Sequence, residues 1–361
     1  MLTLVEFGLA LAAILVAASL FTNAVEILGA QLGLQQGAVG SVLAAVGTAL
    51  PETIIPMVAI LESVFTGREP GKAAEVGTSA ILGAPFMLVT LALFVIGVSV
   101  LAFRRRRTYG TGVHVDEATV GWDAGFYHRH KAHPTEVRID EMTIGRDVGF
   151  FLIFFAIAAG AGVVELPFPL RMVIAVLLVA GYTFYVRLTL ASGGTLEEVP
   201  GRLTLWRFPS RPPLWAVVAQ TLLALGLIVW GAHLFVEAVK HAAVAIGLPA
   251  GLIALILAPL ATELPEKFNS IIWVKDGKDT LALGNVTGAM VFQSTIPVSV
   301  GVLFTRWDLA PLDLWAVGLA LISGGYFYAI LRHPVRLRAK YLLICGVFYL
   351  IYLVVAVFAV V

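Results

Sequence analysis

Long apolar stretches follow one another along most of this chain, with short polar segments between them. A helix needs about 20 apolar residues to cross a bilayer, and a barrel strand only about 10. The stretches are too long and too continuously apolar for barrel strands, so the pattern predicts membrane-spanning helices. We predict ten of them, over residues 5–29, 37–62, 74–103, 147–163, 166–191, 213–244, 249–274, 280–304, 310–331 and 339–360.

Two of the predicted helices contain the same short polar motif. The sequence GTALPE at 47–52 is echoed by ATELPE at 261–266, 214 residues later. Each half of the chain holds five predicted spans, an odd number, so the second half enters the membrane with opposite polarity. Such inverted repeats are a common transporter architecture. We therefore expect an all-α integral membrane protein whose ten helices form two inverted five-helix repeats.

Composition agrees with a membrane protein and excludes other classes. Hydrophobic residues make up 59% of the chain and charged residues 13%, whereas soluble domains carry about 25% charged residues. The net charge of +1 indicates no nucleic-acid partner. The single cysteine, Cys345, excludes an intrachain disulfide and a cysteine metal cluster, and we expect no cofactor. Since no Lys or Arg precedes Arg68, the first stretch is expected to be a retained helix rather than a signal peptide.

Positive charge predicts the orientation. With the N-terminus outside, the cytoplasmic loops hold 18 Lys and Arg residues and the outer loops hold 5. Because cytoplasmic loops of membrane proteins are enriched in Lys and Arg, both termini are expected outside the cell membrane. The predicted segments are 1–103 with the first three spans, the cytoplasmic loop 104–146, 147–191 with two spans, the cytoplasmic linker 192–212, and 213–361 with the last five spans.

The loop 104–146 is too long for a simple connection. Its pattern V-x-[VI]-D-E-x-T-[VI]-G-x-D-x-G-F-[YF] occurs at 113–127 and again at 137–151. Histidine clusters can bind metals, but the irregular spacing here favours a solvated loop. The residues concerned are His114, His128, His130, His133 and Asp123.

The first motif has the chemistry of a cation site. Thr48 and Glu52 lie four residues apart and share one face of a helix. Pro51 frees a backbone carbonyl near that face. Hard cations prefer carboxylate, carbonyl and hydroxyl oxygens, and a carboxylate at this depth is costly unless it has a function. A proline kink with a structurally satisfied glutamate is the competing interpretation, and it is less favoured because the motif occurs twice.

The second motif repeats Thr262, Pro265 and Glu266 and adds Glu263. Two carboxylates three residues apart on one face would suit a divalent ion or proton uptake. Alternatively, Lys267 pairs with Glu263 at the i, i+4 spacing and neutralises it.

The neighbouring predicted helices contain a pair of glycines and several polar residues, and each polar residue has two possible interpretations. Gly284 and Gly288 have the spacing that permits close helix contact. Gln293 is either a neutral oxygen ligand or bonded across a helix interface. Three others either line an ion path or, as we favour, lie at interfaces near helix ends; they are Asn23, Glu26 and Glu237.

The paired motifs resemble the two alpha-repeats of the calcium/cation antiporter superfamily, whose members include sodium/calcium exchangers. That family has G-T-S-L-P-E, followed on the next helix by G-N-x-x-G-S-N. The resemblance implies a ten-helix antiporter with alternating access, in which the first and sixth helices slide across a rigid core. It also implies that Glu52 and Glu266 coordinate the cation, together with Thr48 and Thr262.

The chain departs from the family pattern around the two glutamates, and the departures weaken the case for stoichiometric sodium coupling. The altered positions are Ala49 and Glu263, Ala84 and Ala289, and Leu88 and Gln293.

The sequence thus predicts a secondary antiporter that exchanges Ca²⁺ or another divalent cation for Na⁺ or H⁺, with the bilayer and the transported cations as partners. The alternative is a non-transporting sensor or an intramembrane enzyme that signals through 104–146. We expect no enzyme, since no Ser–His, Cys–His or H-E-x-x-H arrangement lies at span depth. The predicted cation ligands are Thr48, Glu52, Thr262, Glu263, Glu266 and Gln293.

Overall fold

The computed structural model describes residues 2–49, 52–53, 56–57, 60, 70–105, 135–191, 202–206, 208, 211–245, 263–333 and 336–360. This part of the chain is helical, apart from turns, connections and one isolated β-bridge between Glu136 and Arg338. The helices are α1 (Leu2–Gln31), α2 (Gln36–Thr48), α3 (Pro70–Met87 and Leu93–Phe103, joined by the π-helical turn Leu88–Ala92), α4 (Glu141–Val163), α5 (Phe168–Ala191), α6 (Leu214–Ala245), α7 (Leu264–Lys275), α8 (Asp279–Gln293 and Ile296–Phe304), α9 (Pro311–Arg332) and α10 (Ala339–Val360).

Eight of these helices are long and apolar enough to cross a membrane, by length and composition. They are α1, α3, α4, α5, α6, α8, α9 and α10. The predicted all-helical, multi-pass membrane fold is therefore confirmed. The described parts of α2 and α7 are shorter, and the predicted spans 37–62 and 249–274 fall partly outside the described residues.

Burial separates a central helix from a peripheral one. The apolar stretch of α8 is 83% buried inside the molecule, whereas that of α5 is only 22% buried. Apolar side chains such as Val176, Leu177 and Phe184 cover the exposed surface of α5. In a bilayer this surface faces the lipid chains, which are apolar like the side chains that cover it. Helix α8 instead packs against α2, α4 and α7.

Helices α2 and α8 cross at very short range. A Cβ added to Gly288 would lie 2.1 Å from the carbonyl oxygen of Ser41, and one added to Gly40 would lie 2.9 Å from that of Leu281. Gly284 also lies against Ser41. Small residues allow helix backbones to approach in this way, and the close contact predicted from the Gly284–Gly288 spacing is confirmed.

Several helices depart from regular α geometry. Helix α2 contains the π-helical segment Val39–Ala44, and α8 is interrupted at Ser294 and Thr295. The hydroxyls of Ser294 and Thr295 both donate to the carbonyl oxygen of Val291, at 3.1 and 2.7 Å. Such bonds satisfy backbone groups that the interruption would otherwise leave unpaired in a membrane.

Helix α4 begins earlier than the sequence predicted. Asp140 caps it by accepting hydrogen bonds from the amides of Met142 and Thr143, so the helix starts at Glu141 rather than near residue 147. The second copy of the duplicated pattern therefore forms the cap and first turns of α4. The first copy, at 113–127, lies outside the described residues, as do the four loop histidines and Asp123.

Connections gather at two ends of the helix bundle. At one end, Gln31 Nε2 donates to the carbonyl oxygen of Pro212 at 2.8 Å, and the amide of Val137 donates to that of Leu337 at 2.9 Å. At the other end, Arg171 donates to the carbonyl oxygen of Thr305. Each of these bonds joins segments that are far apart in the sequence.

Candidate cation site

The two motif glutamates meet inside the protein. Glu52 lies four residues beyond the end of α2, and Glu266 lies in the first turn of α7. They are 8% and 0% exposed, and their carboxyl groups interact directly with each other. The structure thus brings together two residues from opposite halves of the chain.

None of the four carboxyl oxygens of Glu52 and Glu266 has a hydrogen-bond donor among the described residues. Two carboxylates in contact cannot both stay ionised at low cost, and a buried charge without a partner is strongly unfavourable. The pair is therefore arranged to receive positive charge, either as a proton or as a bound cation.

Within the described residues, Pro265 lies at the start of a helix and not in its interior. Helix α7 begins at Leu264, which places Pro265 in its first turn. Proline is well tolerated there because the first amides of a helix have no intrahelical partner. Glu263 stands just before the helix, so the carboxylates of Glu263 and Glu266 flank a helix start.

Asn285 links the two motifs. Thr48 Oγ1 shares its one hydroxyl hydrogen between Asn285 Oδ1 at 3.2 Å and the carbonyl oxygen of Ala44 at 3.1 Å. Asn285 Nδ2 lies 3.4 Å from both the carbonyl oxygen of Glu266 and Ser270 Oγ. Asn285 was not among the predicted site residues, although an amide in the middle of an apolar span is a signal that it has a buried partner.

Glu263 forms the ion pair that the sequence offered as an alternative. Lys267 Nζ lies 2.7 Å from Glu263 Oε2, and the two side chains are 5% and 1% exposed. Glu263 Oε1 has no hydrogen-bond partner among the described residues. The charge of Glu263 acts on both Glu52 and Glu266, so this ion pair borders the carboxyl pair.

Gln293 is buried, and neither of its amide atoms has a hydrogen-bond partner among the described residues. A bond across a helix interface, the alternative raised from the sequence, is thus not found in that part of the chain. Asn269, three residues after Glu266, is also buried with both amide atoms unpartnered within the described ranges. Thr262 lies outside the described residues.

Asn23 and Glu26 bind other segments near the end of α1, which agrees with the favoured interpretation that they lie at interfaces near helix ends. Asn23 Oδ1 accepts from the amide of Thr204 at 2.9 Å. Glu26 accepts from Trp273 Nε1 at 2.8 Å and pairs with Lys278. The side chain of Glu237 is outside the described part of the chain.

Asp147 is a buried carboxylate that the sequence analysis missed. Its Oδ2 accepts from Ser41 Oγ at 2.5 Å and from Thr287 Oγ1 at 2.8 Å, and its Oδ1 accepts from Tyr185 Oη at 2.9 Å. Three hydroxyl donors therefore satisfy it, in contrast to Glu52 and Glu266. The predicted start of the fourth span at residue 147 placed Asp147 at a membrane boundary, which concealed its burial.

Comparison with known proteins identifies the family. The model of the family described as sodium/calcium exchanger protein matches residues 2–191 and 216–361. The chain belongs to this family. The membership confirms the resemblance seen in the sequence and places the chain among exchangers rather than enzymes.

The individual proteins that resemble this chain share only part of its length or have low sequence identity to it. A putative antiporter CaxA from Alkalimonas amylolytica is 32% identical over 93 residues, which are 26% of this chain and 29% of that protein. The chain thus aligns with less than a third of that relative's length. The sodium-calcium exchanger NCX_Mj soaked with 2.5 mM Na⁺ and 0.1 mM Ca²⁺ has a TM-score of 0.70 at 18% identity, with 98% of each chain covered. The same exchanger soaked without Na⁺ and Ca²⁺ gives a TM-score of 0.70 at 19% identity, again with 98% of each chain covered. At this identity the likeness concerns the fold.

Proposed function

We propose that this protein is a secondary cation antiporter that exchanges Ca²⁺, or another divalent cation, for Na⁺ or H⁺. The observation that carries the proposal is the contact between the buried carboxyl groups of Glu52 and Glu266, which no donor among the described residues satisfies. Divalent cations such as Ca²⁺ take oxygen ligands, with carboxylates foremost. A divalent ion between the two carboxyl groups would balance both charges at once.

Further ligands would complete the site around the ion. Gln293 offers a buried amide oxygen without a partner, and Glu263 offers one free carboxylate oxygen. The hydroxyls of Thr48 and Thr262 complete the proposed ligand set. On the return stroke, Na⁺ or H⁺ must replace the divalent ion, because the empty carboxyl pair is costly to bury.

The site would open alternately to the two sides of the membrane. We propose ten spans in two inverted repeats, with both termini outside the cell membrane. Inversion brings Glu52 and Glu266 to one centre from opposite directions, as expected for a midplane site. The excess of 18 over 5 positive residues between the two sets of loops supports this orientation.

A transport assay with purified protein in liposomes tests the proposal. Uptake of ⁴⁵Ca²⁺ is measured with an outward Na⁺ gradient, with a pH gradient, and with neither. We expect uptake that depends on one of the two gradients and is absent from protein-free liposomes. Uptake of no divalent cation under any gradient would contradict the proposal. A gradient-independent leak would contradict it as well, because an antiporter requires a counter-ion.

A further inference from the structure

Lys267 brings a fixed positive charge into the carboxylate centre. Its ammonium group lies 2.7 Å from Glu263 Oε2, and the side chain is 5% exposed. Its charge also acts on Glu266. An ammonium held in this way has the charge of a bound monovalent cation, but it cannot leave the protein.

Within the described part of the chain, four charged side chains set the charge of the centre. Glu52, Glu263 and Glu266 contribute three negative charges when ionised, and Lys267 contributes one positive charge. The net charge is therefore minus two. One divalent cation or two monovalent cations neutralise this charge, whereas three carboxylates alone would hold three monovalent cations. Because an uncompensated buried charge costs several kcal/mol, neutral occupancy is favoured in both loaded states.

We propose that Lys267 is a built-in counter-cation that takes the place of a third monovalent ion. It sets the exchange at one divalent cation for two monovalent cations, with no net charge moved across the membrane. This inference rests on the proposed antiport. It also accounts for the acidic residue Glu263 at a position where the family pattern has serine: Glu263 holds the ammonium group.

Membrane voltage tests the stoichiometry in the wild-type protein. The equilibrium Ca²⁺ gradient is measured in proteoliposomes clamped at 0 and at 100 mV with K⁺ and valinomycin. For a one-to-two exchange we expect the same gradient at both voltages. A three-to-one exchange moves one charge per cycle, which at 100 mV would shift the gradient by about 50-fold. Such a shift would overturn the inference and leave antiport intact, whereas absence of any divalent flux would overturn the proposed function itself.

Two variants test whether Lys267 is responsible. Ca²⁺ efflux is measured against the external concentration of the coupling ion, since the Hill coefficient can rise to the number of sites. In wild type we expect a coefficient of up to about 2, and in Lys267→Gln up to about 3, because a third monovalent ion would pair with Glu263. The double variant Glu263→Gln/Lys267→Gln removes both charges and should return the coefficient to that of wild type. An unchanged coefficient in Lys267→Gln would overturn the role of Lys267, and the wild-type voltage measurement remains decisive if that variant does not insert.

Discussion

Asn285 accepts a 3.2 Å hydrogen bond from Thr48, although the two residues are 237 positions apart. The amide nitrogen of the same Asn285 side chain lies 3.4 Å from the carbonyl oxygen of Glu266. One side chain therefore connects the ends of the chain segments that carry the two facing carboxyl groups. The distance between Glu52 and Glu266 depends on this connection and on the close crossing of α2 and α8.

Replacing either central glutamate should abolish exchange. Glu52→Gln and Glu266→Gln keep the side-chain size but remove one charge from the buried pair. Each carboxylate is a proposed partner of the bound cation, and removing one partner of a buried ion pair costs about 3–5 kcal/mol, so we expect Ca²⁺ flux to fall by about 100-fold or more. Flux in proteoliposomes is the measurement, and Glu165→Gln, at an exposed position between α4 and α5, is the control. Wild-type flux in either variant would contradict the proposed ligands.

The hydroxyl of Thr48 should matter more than its methyl group. Thr48→Val keeps the shape but leaves Asn285 Oδ1 without its donor, a loss of about 1–3 kcal/mol for a buried acceptor. We expect the apparent divalent-cation affinity to fall by about 10-fold, as measured from the concentration dependence of uptake. Thr48→Ser retains the donor and should stay close to wild type. Equal effects of Val and Ser would argue against the hydrogen bond.

Asp147 should stabilise the fold. In Asp147→Asn an amide NH₂ replaces one of the two acceptor oxygens, so it faces either Tyr185 or the hydroxyls of Ser41 and Thr287. We expect a loss of about 1–3 kcal/mol, seen as a lower melting temperature in detergent. The matched control is Asp308→Asn, because Asp308 is exposed. An unchanged melting temperature in Asp147→Asn would show that the hydroxyl cluster contributes little.

A methyl group at Gly288 should disturb assembly. Its Cβ would lie 2.1 Å from the carbonyl oxygen of Ser41, so α2 and α8 would have to separate. Overpacking of this kind costs about 1–3 kcal/mol or more. We expect Gly288→Ala to lower the yield of monodisperse protein in size-exclusion chromatography. Gly318→Ala serves as the control, because no atom lies within 4 Å of the added Cβ. Equal yields would exclude the predicted clash.

The sequence predicted those features that the membrane itself imposes. Apolar stretches long enough to cross a bilayer can hardly adopt another structure there, so the helices were recognisable. The repeated Thr-x-x-Pro-Glu motif also stood out, because polar groups are rare at that depth. Contacts between segments far apart in the sequence were harder to predict. The residues around Thr48 in the sequence do not indicate that its hydrogen-bond partner is Asn285.

Three local features also escaped prediction, each for a physical reason. Asp147 lies near a helix start, where boundaries read from hydropathy are uncertain by several residues. Pro265 fits both a kink and a first turn, and only the chain direction before Leu264 distinguishes them. The choice for Glu263 between ligand and ion pair depended on the direction of the Lys267 side chain, which spacing alone does not fix.

The attachment of Ser41 restricts how the molecule can move. Its hydroxyl is bound to Asp147 on α4, and its carbonyl lies against Gly288 on α8. Sliding α2 along α8 by one turn would break the first contact, and a slide toward the C-terminal end of α8 would also bring Phe292 in place of Gly288. Tyr185 on α5 also binds Asp147. Helices α2, α4, α5 and α8 should therefore move together as a single rigid body. Any gate that admits ions from one side and then from the other must be sought in helices outside this body, such as α1 and α6, which pack against each other.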